Sequence, residues 1–186
     1  MRSVADMDSG KLVLRLFTGG VIMAHGLQKL KGWYGGPGIE GTAGMMASMQ
    51  MLPPKRNAWA VALAETVGGA GIALGAGTPA ATAAVTSAML TAIRKVHWKN
   101  GFFNHEGGWE FNGLLIASAI AITADGPGKL SLDAAIGKSR WGAGWALAAL
   151  AAGIAGSIGA VELARREVES LGAGGSDVSG SDSSGA

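Results

Sequence analysis

Apolar residues in this chain come in long unbroken runs. They show neither the alternation of a half-buried strand nor the narrow stripe of a soluble amphipathic helix. Five runs stand out, at 11–30, 57–77, 79–98, 111–124 and 141–161. Each approaches the roughly 20 residues that a helix needs to cross a hydrocarbon core about 30 Å thick. The fourth reaches that length if it begins near Gly107, which draws Trp109 and Glu110 into the interface. The pattern predicts an all-α membrane protein with five transmembrane helices.

The connections refine this reading. Gly75-Ala76-Gly77-Thr78 is a tight turn between the second and third helices, with Thr78 as N-cap and Pro79 at the first helical position. The first and second helices are joined by a long segment that opens with the loop Trp33-Tyr34-Gly35-Gly36-Pro37-Gly38. In it Met45, Met49 and Leu52 fall at helical spacing, which predicts an interfacial helix near 42–52, ended by Pro53-Pro54. Residues 1–10 carry Asp6 and Asp8 and read as a retained N-terminal segment, not a basic signal sequence. Residues 162–169 read as a charged helical extension, and the Gly/Ser/Asp-rich 172–186 as disordered. Gly71 and Gly75, and the series Ala152, Gly156 and Ala160, read as small-residue ridges for close helix packing.

Composition agrees with a membrane chain. Only 15% of residues are charged, against about 25% in soluble domains. The net charge of +2 is too small to suggest nucleic acid. The absence of cysteine removes thiol catalysis, disulfide exchange and thiolate-held clusters from this chain.

Ionisable residues inside spans usually face the bundle interior. Let side A be the face carrying the N-terminus. At a rise of 1.5 Å per residue, His25 lies about 21 Å along the first helix and Arg94 about 22 Å along the third, both entering from side A. Glu65 lies about 12 Å along the second helix, which enters from side B. The three reach nearly one level, which predicts a Glu65–Arg94 ion pair with His25 beside it. Arg15 lies about 6 Å in from side A, where it can snorkel or reach a carbonyl. Side B also receives a polar loop containing His97, Trp98, Lys99, Asn100, His105, Glu106, Trp109 and Glu110. Glu106 and Glu110 have the i, i+4 spacing of a shared helix face. No His-x-x-x-His or Glu-x-x-His spacing is present, so no metal site is expected. Neither a flavin motif nor a phosphate-binding glycine loop is seen.

The chain resembles the DoxX family of bacterial membrane proteins. The residues that carry the resemblance are Leu14-Arg15-Leu16, His25-Gly26-Leu27-Gln28-Lys29-Leu30, Gly41-Thr42-Ala43-Gly44 and Ala64-Glu65. They continue with His97-Trp98-Lys99-Asn100-Gly101-Phe102-Phe103, Gly107-Gly108-Trp109-Glu110-Phe111-Asn112, Gly126-Pro127-Gly128-Lys129 and Ser131-Leu132-Asp133. The resemblance covers about 11–137 and implies a four-helix membrane core, to which 141–161 adds a fifth helix.

It also implies a quinone-linked subunit of a membrane oxidoreductase complex in the bacterial plasma membrane. On that expectation His25 and Glu65 handle protons, Arg94 keeps Glu65 ionised, and Trp98 or Trp109 flanks the ring. Lys99, Asn100 and Glu110 complete the candidate binding set. The alternative is a non-catalytic scaffold that recruits a soluble or membrane redox protein through its side B loops. A small-solute or proton carrier is a weaker alternative, since no inverted repeat is visible. Side A carries five positive residues and side B nine, which puts side B in the cytoplasm.

Overall fold

Helix is what this composition dictates, because Ala, Leu and Met favour it and a lipid-facing backbone must satisfy its own hydrogen bonds. A computed structural model describes residues 4–178. Among the described residues there are seven α-helices and no strand. They are α1 (Val4–Lys31), α2 (Gly38–Ser48), α3 (Pro54–Leu74), α4 (Thr78–Ala92), α5 (Glu110–Asp125), α6 (Leu132–Ala135) and α7 (Ala143–Val178). The five predicted long helices correspond to α1, α3, α4, α5 and α7. Of these, α7 alone is long and apolar enough between Ala143 and Leu171 to cross a membrane by length and composition, with a mean hydropathy of 1.8. At 15 and 16 residues, α4 and α5 are shorter. A π-helical turn, Ile93–His97, and a 3₁₀ turn, Trp98–Asn100, extend α4 toward side B.

Several boundaries differ from the sequence expectation, among them the start of α1 at Val4 instead of near Lys11. The interfacial helix α2 begins and ends four residues earlier than 42–52, because Gln50 adopts a left-handed conformation (φ 57°) that stops the helix. At the C-terminus, α7 runs on to Val178, so residues 172–178 of the expected disordered tail are helical. The rest of that expectation, 179–186, lies outside the described residues.

The core gathers Ile22 of α1, Ile72 of α3, Val85 and Met89 of α4, and Leu115 and Ile122 of α5. The closest crossing is between α1 and α3. A Cβ on Gly19 would strike the backbone of Ala73 and Gly69, and one on Gly69 would strike that of Met23 and Gly19. Side chains are therefore excluded where these helices touch. Gly69→Val should separate α1 from α3 and lower the thermal midpoint in detergent, with a loss of about 1–3 kcal/mol or more. An unchanged midpoint would contradict the contact. On α7 the buried ridge is Ala146, Ala149, Gly153, Ser157 and Ala164. It lies one residue beyond the expected Ala152–Gly156 register, since Gly153 seats against Thr86 of α4.

At side A the helix ends are tied together by a loop residue. Asp133, only 2% exposed, accepts hydrogen bonds from the Gly77 and Thr78 N–H groups at 2.7 and 3.0 Å. It also accepts from the Thr78 hydroxyl at 2.7 Å and the Trp141 indole N–H at 2.8 Å. The α4 N-terminus is thus capped by Asp133 from 55 residues away, and Thr78 is a partner of that carboxylate instead of the cap. Trp141, at the start of the fifth apolar run, is tied into the same knot. Nearby, Arg15 is 1% exposed and donates from Nη2 to the Leu130 carbonyl at 2.6 Å, so it takes a carbonyl and does not snorkel. Lys11 pairs with Asp125 at 2.9 Å.

Burial pushes the Asp133 carboxyl up, but the bonds from Thr78, Trp141 and Gly77 outweigh it and hold the group below its ordinary value. A depressed folded pKa contributes stability above the unfolded pKa and loses it as pH falls through the folded one. The thermal midpoint should therefore hold to about pH 5 and drop below about pH 4. Asp133→Asn should flatten that acid limb, and an unchanged limb in the variant would assign the dependence elsewhere.

Candidate functional site

Toward side B the helices diverge around a cavity of about 510 Å³. Its walls come from α1 (Ile22, His25, Lys29), α3 (Val61, Ala64, Glu65), α5 (Phe111, Asn112, Leu115) and the end of α4. The π-helical turn brings Lys95, Val96 and His97 to the wall, and α2 with its following turn closes it. The buried Thr42 hydroxyl holds α2 there, donating to the Gly38 carbonyl at 2.7 Å and contacting the Lys29 carbonyl at 3.3 Å. This gives the Gly41-Thr42-Ala43-Gly44 stretch a physical role: it fastens α2 to the end of α1.

The wall is largely apolar, and its charge is concentrated. Glu65, 2% exposed, accepts a hydrogen bond from the Lys29 ammonium at 2.6 Å. Lys29 follows His25 by four residues on α1, and its Nζ also lies 3.5 Å from the His25 carbonyl. The His25 ring meets Phe111 edge-on, with centroids 6.1 Å apart. The Asn112 amide donates to the Met89 sulfur at 3.4 Å. Lys29, Glu65 and His25 thus form a cation, an anion and an imidazole on one face of an apolar chamber.

The structure brings His25 and Glu65 together, as their depths predict, but Arg94 does not join them. Arg94 Nη1 donates to the Ser157 carbonyl on α7 at 3.1 Å and reaches the Ser157 hydroxyl at 3.4 Å. Depth along a helix fixes a residue's level, whereas its rotation decides its neighbour, and Arg94 turns toward α7. The partner of Glu65 is Lys29. The spacing of His25 and Lys29 on one helix face was the available signal for it.

The five loop candidates do not line the cavity. Trp98 and Trp109 stack on each other, with centroids 6.3 Å apart and planes 19° apart, and Phe102 meets Trp109 edge-on. Asn100 donates to the Gly107 carbonyl at 3.1 Å, and Glu110 accepts from the Asn104 N–H at 2.7 Å. These bonds build a folded loop beside the cavity, and Lys99 sits in its 3₁₀ turn. Glu106 and Glu110 share no helix, because α5 starts at Glu110. Among the described residues no group of three or more His, Cys, Asp or Glu stands together in a way that could hold a metal.

The DoxX family model matches residues 10–98 of the chain, which takes in α1 to the π-helical turn and so includes His25, Lys29, Glu65 and His97. The chain is also 30% identical over 135 residues to the Bacillus subtilis (strain 168) protein named "Putative oxidoreductase CatD", covering 73% of this chain and 92% of that relative. No solved structure matches it.

Proposed function

This chain belongs to the DoxX family of membrane proteins, and from that premise we propose that it is a quinone-linked subunit of a membrane oxidoreductase. In this reading α1, α3, α4 and α5 form a four-helix membrane core and α7 a fifth span. The bundle sits in a bacterial plasma membrane with side B toward the cytoplasm. The observation that carries the reading is the Lys29–Glu65 pair, its carboxylate buried, beside His25 on a mainly apolar cavity wall. The relative's name points to redox chemistry in a protein of similar sequence.

The residues fit a quinone. About 510 Å³ lies within the roughly 300–1,000 Å³ of small-molecule sites. Ile22, Val61 and Leu115 offer apolar contact for a ring and its tail. The Lys29 ammonium and the His25 imidazole are the donors for ring oxygens, and both can deliver protons. Glu65 holds Lys29 at the wall and can accept a proton in turn. A bound quinone would supply two-electron, two-proton acceptor chemistry. Since the chain has no cysteine, electrons reach this site from a partner's cofactor.

Binding of a short-chain quinone to the purified full chain in mild detergent tests this reading. His25→Ala should weaken binding about tenfold, the loss of one good polar contact. Arg94→Ala should bind as wild type does, because Arg94 contacts Ser157 instead of the cavity. Equal weakening in both variants, or no binding by wild type, would overturn it.

A second reading has its own observation. Trp98, Phe102 and Phe103 are exposed on the hydrogen-bonded side B loop, where a redox partner could dock. Loss of a co-purifying protein in Phe102→Ala/Phe103→Ala, with quinone binding intact, would favour the scaffold.

A further inference from the structure

Five of the chain's eight methionines, Met45, Met46, Met49, Met51 and Met89, line this same cavity, together with two of its three histidines. Local backbone geometry concentrates three of these thioethers. Met46 and Met49 are one turn apart at the end of α2. Gln50 then turns left-handed, and Met51 N–H donates back to the Met46 carbonyl at 2.9 Å while Gln50 N–H donates to Ala47 at 3.0 Å. This pair of bonds is a Schellman ending, which folds the residue after the left-handed one onto the last helical turn. Met51 (2% exposed) and Met46 (7%) accordingly share a buried cluster, with Met49 packed against it. A left-handed non-glycine residue is held at a conformational cost, of order 1 kcal/mol, a form of strain that clusters at functional sites.

The ligand chemistry is soft. Thioethers are poor ligands for hard divalent ions and good ones for Cu(I). Among the described residues Glu65 is the one carboxylate on the cavity wall, and Lys29 already holds it. His97 supplies a nitrogen. Its Nδ1 lies 2.7 Å from the Gly107 carbonyl, an acceptor only, so Nδ1 donates there and Nε2 is the nitrogen whose lone pair a metal would take in the neutral ring. A backbone carbonyl fixing one imidazole nitrogen is the usual support for a metal-binding histidine. We propose that Met46, Met49 and Met51 form a thioether site for Cu(I) at the α2 wall of the cavity, with His97 as the nitrogen ligand. Binding involves no change of oxidation state, and the site is independent of the quinone reading.

The test loads the full chain in mild detergent with Cu(I) under ascorbate, without oxygen, and challenges it with a Cu(I) chelator. Ag(I) serves as a redox-inert probe. Wild type should retain about one metal ion per chain, with sulfur in its first shell by X-ray absorption. Met46→Leu/Met49→Leu/Met51→Leu, which conserves volume and so leaves the fold largely undisturbed, should lose the metal. Met23→Leu, outside the cavity, should keep it. If the triple variant does not fold, the wild-type absorption spectrum decides alone, and a shell of nitrogen and oxygen only overturns the proposal. Equal retention by wild type and a folded triple variant, or no retention by wild type, also overturns it. Quinone binding measured on the same samples separates the two readings: metal lost with quinone retained places the thioethers outside the quinone contacts, and metal bound without quinone overturns only the redox reading.

Discussion

Lys29→Met will destabilise the protein severely, by about 3–5 kcal/mol, whereas Lys29→Met combined with Glu65→Leu will recover most of that loss. Glu65 is 2% exposed, and among the described residues its ion-pair partner is Lys29 at 2.6 Å. Removing the ammonium leaves a carboxylate in a chamber walled by Ile22, Val61 and Ala64. That charge must persist unpaired or take up a proton, and either course costs free energy relative to wild type. Removing both partners deletes the unpaired charge and leaves apolar groups against an apolar wall, which is often neutral or better. Such non-additivity is what a double-mutant cycle reads, as a coupling well above the few tenths of a kcal/mol seen between distant sites. Thermal midpoints of the four proteins in one detergent give the result. Simple additivity would mean that the pair is not a closed contact in the folded protein.

The second large effect belongs to side A. Asp133→Ala should cost about 3–5 kcal/mol, because it orphans several buried donors at once. The Gly77 and Thr78 N–H groups, the Thr78 hydroxyl and the Trp141 indole all converge on this carboxylate. They belong to the α3–α4 turn, the start of α4 and the lead-in to α7, so the loss loosens three elements together. Asp133→Asn keeps the shape and one acceptor oxygen, and should lie between wild type and Ala. A drop of only a few tenths of a kcal/mol in Asp133→Ala, read by denaturant or thermal unfolding, would show that the knot is redundant.

What the sequence revealed follows from what a one-dimensional pattern encodes. Helix existence was legible because five apolar runs have helical length, and the level of His25 and Glu65 was legible because rise per residue is constant. Arg94 reached the right level but the wrong neighbour, since azimuth depends on how α4 rotates through its π-helical turn. Lys29 stands in the His25–Leu30 motif, but a lysine near a helix end reads first as an interfacial positive charge. The capping of α4 could not be read locally, because its cap is a residue 55 positions away. The α2 methionines read as an interfacial stripe. The left-handed Gln50 turns Met51 inward, and that conformation has no strong sequence signal in a non-glycine residue.

The most direct test of the central claim is to purify the full chain from its membrane in mild detergent, extract its bound small molecules and identify them by mass spectrometry, with folded Glu65→Gln and His25→Ala variants alongside. A quinone at near one per chain is expected in wild type and should be depleted in both variants. Wild type carrying no quinone, or variants carrying as much as wild type, would contradict it.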